Sequence, residues 1–298
     1  MTTTQKLRGL LASGGLPLMV PGAPNALTAR VVEDTGFEAV YVTGAGVTNS
    51  YLGAPDLGLI TLSELVGHVN AIADAVQIPV VVDGDTGFGN ALNVQRTVRL
   101  IEGAGAAALQ LEDQVSPKKC GHFTGKEVIS ADEMVGKIKA AVDARRDDDF
   151  VIIARTDALA IEGIDEAIDR AGRYLEAGAD VLFVEAPRDV DQMRRITTSV
   201  PGIHMANMVE GGLTPLLPRE ELGELGFAVA LYANAAMRGA VAGMRQVMNH
   251  LAEVGDTRDA GELMISWTDR QALVRKPEFD ELDTKYAVAR NTENGAVV

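Results

Sequence analysis

Eight short apolar runs, each followed by a longer amphipathic stretch, set the narrowest limit on what this chain can fold into. The runs cover residues 17–20, 39–42, 79–83, 107–112, 150–154, 180–185, 203–206 and 228–232. They are rich in Val, Ile and Leu and mostly apolar throughout, the pattern of strands buried on both faces. Helical patterning fills intervening segments such as 25–35, 63–75, 91–102, 131–144, 164–177, 190–200 and 219–225. Gly36, Gly178 and Gly226 stand where a helix ends just before a strand, and glycine supplies the left-handed stop. Eight such units predict an α/β chain closed into a (β/α)₈ barrel rather than an open doubly wound sheet. No GxGxxG follows the first strand, which also counts against a dinucleotide fold.

The barrel is expected over residues 1–254, with a polar helical arm and tail over 255–298. Trp267, Phe279 and Tyr286 punctuate that tail at wide intervals. They fit an arm packed on a neighbouring subunit, and equally a solvated tail with a few anchors. The length of 298 residues suits one barrel plus such an appendage.

A net charge of −15 argues against nucleic acid and anionic membranes as partners. It also means that an anionic substrate needs a local reversal of the field. With one cysteine, Cys120, no intrachain disulfide can form, and a reducing cytoplasm fits. Residues 1–14 hold no apolar stretch of signal length, and no run approaches a membrane span.

Polar residues crowd the C-terminal ends of the expected strands, the catalytic face of such barrels. They are Thr43-Gly44-Ala45-Gly46, Asp83-Gly84-Asp85, Glu112 with Asp113, Arg155 with Asp157, Glu185, and Asn207 with Glu210. Asp83, Asp85 and Glu112 are hard oxygen donors suited to Mg²⁺, with Asp56 as a fourth acid. Each could instead cap a helix. Four histidines without paired spacing, and one cysteine, argue against zinc. Lys118-Lys119-Cys120-Gly121-His122 sets two cations and an imidazole around the thiol, which favours thiolate chemistry and proton delivery. The bland alternative is a small buried Cys beside surface lysines. Arg155, leaving an apolar strand, needs an anionic partner, either a substrate carboxylate or Glu185. The Thr43-Gly44-Ala45 backbone could cradle a carboxylate.

In order, these motifs resemble the isocitrate lyase/phosphoenolpyruvate mutase superfamily. The likeness runs from Val20 to about His250 and rests on Tyr41-Val42-Thr43-Gly44, Leu52-Gly53-Ala54-Pro55-Asp56-Leu57-Gly58 and Asp83-Gly84-Asp85-Thr86-Gly87-Phe88-Gly89-Asn90. It continues through Leu111-Glu112-Asp113-Gln114, the Cys120 loop, Ala154-Arg155-Thr156-Asp157-Ala158 and Ala206-Asn207-Met208-Val209-Glu210-Gly211-Gly212. The resemblance implies a Mg²⁺-dependent (or Mn²⁺-dependent) barrel enzyme, a homotetramer with its last helix swapped between subunits. Asp83 would bind the metal directly, and Asp56, Asp85 and Glu112 through water. Thr43, Gly44, Ala45 and Arg155 would grip the keto-acid half of a dicarboxylate, with Glu185 and Asn207 lining the site. Cys120 would be the general acid, Lys118, Gly121 and His122 would share its loop, and Tyr41 is a candidate base. The implied reaction is retro-Claisen (aldol-type) carbon–carbon cleavage of a small-molecule 2-hydroxy dicarboxylate.

Departures from the family pattern narrow the substrate. Phe123 stands where isocitrate and methylisocitrate lyases carry Arg, which disfavours a third carboxylate. Cys120-Gly121-His122-Phe123-Thr124-Gly125-Lys126 is similar to the 2,3-dimethylmalate lyase and petal death protein branch. Tyr232-Ala233-Asn234-Ala235 lacks the serine associated with oxaloacetate hydrolases. The expected activity is therefore an alkylmalate lyase. The alternatives are 2-methylisocitrate lyase, oxaloacetate hydrolase, carboxyphosphonoenolpyruvate phosphonomutase and a non-catalytic acid-binding barrel.

Overall fold

A computed structural model describes residues 1–119, 121 and 125–287. The helices are α1 (Thr3–Ala12), α2 (Ala26–Asp34), α3 (Gly44–Leu52), α4 (Leu62–Ala75), α5 (Ala91–Gly103), α6 (Ala131–Ala144), α7 (Ile164–Glu176), α8 (Val190–Ser199), α9 (Arg219–Glu224), α10 (Ala235–Val254), α11 (Trp267–Leu273) and α12 (Lys276–Tyr286). The strands are β1 (Leu18–Ala23), β2 (Val40–Val42), β3 (Val80–Asp83), β4 (Ala108–Glu112), β5 (Val151–Thr156), β6 (Val181–Val184), β7 (Ile203–Asn207) and β8 (Val229–Tyr232). All eight pair in parallel and in sequence order, β8 returning to β1, so the barrel is closed.

The unbroken apolar runs have a two-sided reason. Val40, Val42, Val80, Val82, Ile152 and Leu182 face outward and pack under the helices. Tyr41, Val81, Val151, Ile153, Val181 and Phe183 alternate with them and fill the barrel. Each strand thus buries both faces, and a period-two polar pattern has nowhere to appear. Gly36 and Gly178 sit at φ 95° and 105° after α2 and α7, as the helix-stop reading requires.

α1 was not expected. A reciprocal Thr2–Gln5 capping box starts it. Leu7 is buried with the barrel-lining side chains, and its burial is worth about 1.5–3 kcal/mol. Arg8 reaches the carbonyls of Asp149 and Phe150 and pairs with Asp180 at 2.8 Å, so α1 lies across the strand starts. The polar ends of the strands are on the opposite side.

The chain divides into two compact units, Met1–Val241 and Ala242–Val298. The division falls within α10, a 20-residue helix with none of its residues buried. In the second unit, α11 and α12 supply the expected helical character. Trp267, Phe279 and Tyr286 are exposed there, and the Arg270 guanidinium lies 4.3 Å from the Trp267 ring centre. Among the described residues no helix is long and apolar enough to cross a membrane.

Candidate active site

Strand register brings the site residues level. Asp83 pairs with Gln110 across β3 and β4, and Glu112 pairs with Arg155 across β4 and β5. An open cleft of about 450 Å³ lies at these strand ends. Tyr41, Thr43, Ala45, Asp56, Asp83, Glu112, Lys118, Gly121, Arg155, Glu185 and Asn207, all expected from sequence, line it. Gly44 and Asp85 stand directly behind, against Asp83 and Lys118 respectively. Cys120, His122 and Phe123 lie outside the described residues. Glu210 takes another course and pairs with Arg238 at 3.1 Å.

Three local causes fix Asp83. The Gly44 N–H, at the start of α3, donates to its Oδ2 at 3.3 Å. The Asp85 N–H and the Gln110 amide donate to its Oδ1 at 3.2 and 3.3 Å. The segment 43–45 is therefore a helix N-terminus rather than an open loop. Thr43 caps it through the Gly46 N–H, and the Gly44 N–H donates to Asp83. Gln110 also accepts the Tyr41 hydroxyl at 2.8 Å. Burial first, and then Asp83, pushes the Tyr41 phenol well above its usual range, so its proton is held on the Gln110 bond.

Lys118 is buried between two acids, 2.7 Å from Asp56 and 3.0 Å from Asp85. Burial opposes its charge, but Asp85, Asp83, Glu112 and Asp56 outweigh that and hold its pKa well above normal. Asp85 adopts φ 46° and its carboxyl is pushed up to about 7. Burial is the main cause, Lys118 opposes it, and Asp83 and Asp56 add to it.

Arg155 answers the sequence question about its partner differently from either reading. Its nearest acid is Asp157, two residues on, held bidentately through Nε at 2.9 Å and Nη2 at 3.2 Å. Glu112 and Glu185 follow at 3.4 and 3.6 Å. The guanidinium so held lines the cleft. Burial disfavours the Asp157 carboxylate, but Arg155 and Lys126 outweigh it and hold the pKa below the usual range. Asn207 donates to Glu185 at 3.4 Å. Val209, Leu231 and Ala233 give the cleft an apolar side.

Sequence reasoning missed the parts played by Gln110, Lys126 and Asn234. Gln110 carried a signal, a polar residue inside an apolar strand. Lys126 and Asn234 stood inside the motifs at 120–126 and 232–235, but only the fold brings their side chains to the site.

The sequence profile of phosphoenolpyruvate phosphomutase matches residues 7–252. The chain belongs to this family. Within the phosphoenolpyruvate phosphomutase family it is 47% identical over 290 residues to the 2,3-dimethylmalate lyase of Eubacterium barkeri, covering 97% of this chain and 100% of that one. The crystal structure of a 2,3-dimethylmalate lyase superposes with a TM-score of 0.91 at 34% identity, covering 100% and 99% of the two chains. Phosphonopyruvate hydrolase in complex with oxalate and Mg²⁺ superposes with a TM-score of 0.87 at 33% identity, covering 96% and 99%. Like these relatives, the chain is an enzyme.

The phosphonopyruvate hydrolase complex carries Mg²⁺, and the cleft of this chain fits that ion. Among the described residues, Asp56, Asp83, Asp85, Glu112, Asp157 and Glu185 meet three buried cations, Lys118, Lys126 and Arg155. Glu112 Oε1 is buried without a hydrogen-bond partner. Burial pushes the Glu112 carboxyl well above its usual range despite Arg155. Among the described residues no three Asp, Glu, His or Cys side chains converge into a ready-made cage. Mg²⁺ needs none, because it keeps several waters and takes one or two carboxylates directly.

Proposed function

We propose that this chain is a Mg²⁺-dependent carbon–carbon lyase that cleaves an alkylmalate, 2,3-dimethylmalate or a close relative. The products are pyruvate, or another α-keto acid, and a carboxylic acid. One observation carries the reading: the Arg155 guanidinium, the Asp83 acid cluster and the apolar side at Val209, Leu231 and Ala233 share one cleft. A carboxylate, a metal-binding hydroxyl and an alkyl group each find matching chemistry there. The identity of 47% over nearly the whole chain to a 2,3-dimethylmalate lyase supports the same substrate class.

Asp83 would hold the metal directly, and Asp56, Asp85 and Glu112 would hold its waters. When bound, the metal supplies the acidity that lowers the pKa of the substrate hydroxyl. Arg155 grips the carboxylate of the keto-acid half. The hydroxyl proton passes to solvent, the C2–C3 bond breaks, C2 becomes the keto carbon, and the bonding pair goes to C3 of the departing acid. Cys120, flanked in sequence by Lys118, Gly121 and His122, delivers the proton to C3. Thr43 and Ala45 bound the pocket, and Glu185 and Asn207 complete its wall.

The partner is a small dicarboxylate, with no nucleic acid or membrane, and the compartment is the cytoplasm. The assembly is a homotetramer with a swapped C-terminal helix. Val241, Met244, Met248 and Leu251 on α10, all more than a third exposed, support this by forming a stripe at helical spacing.

The test is keto-acid release from a panel of malate, alkylmalates, oxaloacetate, isocitrate and methylisocitrate. Pyruvate from an alkylmalate, abolished by EDTA and by Asp83→Ala, is the expected result. Silence across the panel from folded, Mg²⁺-loaded protein refutes the lyase reading. Phosphonate formation in a phosphorus assay would replace it with mutase chemistry.

A further inference from the structure

Lys126 is a buried lysine that the reaction above does not use. Its ammonium lies 2.6 Å from Asp157 Oδ1 and 2.5 Å from the carbonyl oxygen of Gly121. Asp157 is fully buried and gives both oxygens to Arg155. Its backbone N–H is held from the other side by Asp113 Oδ1 at 2.9 Å. The second Asp113 oxygen accepts from Thr156, Arg170 and Tyr174, so that support is itself fixed. Gly121, in turn, lies against the guanidinium, where an added Cβ would stand 2.4 Å from Arg155 Nη2. One ammonium therefore ties the counter-ion of Arg155 to the glycine that packs on its fork.

We infer that Lys126 is a positioning residue for carboxylate binding: shared between the Gly121 carbonyl and Asp157, it fixes how the Arg155 guanidinium is oriented in the cleft. Arg155 has three acids within reach, Asp157, Glu112 at 3.4 Å and Glu185 at 3.6 Å. Left to itself, the guanidinium can rotate among them and lose the orientation that Asp157 gives it. Lys126 engages Asp157 Oδ1 from the far side and so pins the plane of the carboxylate that the fork must match. A loop staple alone would not require a buried charge. Lys119, whose exposed ammonium bonds the Gly125 carbonyl at 2.6 Å, shows the cheaper way to tie the same segment. The inference rests on Arg155 gripping a carboxylate, as proposed above, and not on which bond is cleaved.

Lys126→Met and Lys126→Gln remove the charge, and Lys126→Arg keeps it. Oxalate binding to Mg²⁺-loaded protein, followed by calorimetry, reads the grip without turnover, and kcat and KM read it with turnover. The neutral variants are expected to weaken oxalate on the order of 10–100-fold, the usual scale for partners that orient a liganding group. KM for the dicarboxylate should rise in parallel with kcat nearly unchanged, and Lys126→Arg should recover most of both. Methylammonium, but not tetramethylammonium at equal ionic strength, should restore part of the affinity of Lys126→Met. If Lys126→Met does not fold, Lys126→Gln, which still donates to Gly121, carries the same comparison. Neutral variants that bind oxalate like the wild type overturn the inference, as does a loss confined to kcat or a wild type that binds no oxalate. Weakened oxalate binding in a protein that cleaves no hydroxy acid would refute the lyase reading and leave this one standing.

Discussion

Gly121→Ala tests whether the grip on substrate depends on a contact only glycine can make. The new Cβ would stand 2.4 Å from Arg155 Nη2 and 2.9 Å from Cγ and Cδ of Glu185. Ordinary contact begins at 3.4 Å, so the fork must retreat by about 1 Å. It cannot retreat as a unit, because the Asp157 carboxylate that holds it is fully buried and pinned by Asp113 and Lys126. The guanidinium turns instead and loses its alignment with the carboxylate. A misplacement of about 1 Å costs roughly 100-fold in rate, or about 2.7 kcal/mol of transition-state stabilisation. Gly121 does not occupy positive φ, so alanine adds bulk without backbone strain. The assay is keto-acid release at saturating Mg²⁺, with thermal unfolding measured alongside. A fall in kcat/KM of about two orders of magnitude at a nearly unchanged melting temperature is expected. A variant within about threefold of wild type would refute the claim that the Gly121 contact positions Arg155.

Cys120→Ser should lower turnover by orders of magnitude and leave Mg²⁺ affinity intact; near-normal turnover removes Cys120 as the acid. Gly22→Ala drives a Cβ to 1.9 Å from the Ala233 carbonyl oxygen, backbone against backbone, and should destabilise the barrel by about 3 kcal/mol or more in a denaturant melt; an unchanged midpoint refutes the contact. Asp85, held near pKa 7 against an ordinary value of 3.8, must ionise to serve a metal. A raised folded-state pKa gives stability that is present below about pH 4 and lost as pH climbs through about 7, so the stabilisation conferred by Mg²⁺ should grow across that window. A Mg²⁺-induced rise in melting temperature that is flat from about pH 5 to about pH 8 contradicts this.

The barrel was legible because both faces of every strand are buried, which leaves unbroken apolar runs such as Val80-Val81-Val82 and Val151-Ile152-Ile153. The two barrel-side helices that escaped did so for local reasons. α3 opens on Gly44-Ala45-Gly46, poor helix formers, although Thr43 offered the N-cap. α1 precedes the first strand, outside the repeating rhythm, and is held by barrel contacts more than by its own propensity. At the site, residue types at strand ends were readable one by one, because chemistry and position coincide there. Partnership was not. Arg155 could have met Glu185 or Asp157, and only the exit of β5, fixed by Asp113 through Thr156 and the Asp157 N–H, decides for Asp157. Lys126 lies 31 residues from Asp157 in sequence, and no spacing rule announces their contact.

A chain of net charge −15 that binds a dicarboxylate must reverse its own field, and its cleft makes the task harder. The buried cations are already committed: Lys118 to Asp56 and Asp85, Lys126 and Arg155 to Asp157. A second carboxylate at about 4 Å from an uncompensated one is repelled by about 4 kcal/mol at an effective dielectric constant near 20. The metal-free cleft should therefore exclude the substrate rather than hold it unreactive. The surplus of acid makes carboxylate affinity conditional on a divalent cation, so the metal binds first and the acid second. Removing the metal should then abolish oxalate binding itself, beyond merely stopping turnover. EDTA-treated protein that binds oxalate as tightly as the Mg²⁺-loaded form would show that the acids are neutralised in some other way, by protonation of Asp85 or Glu112, and the ordered binding would fall.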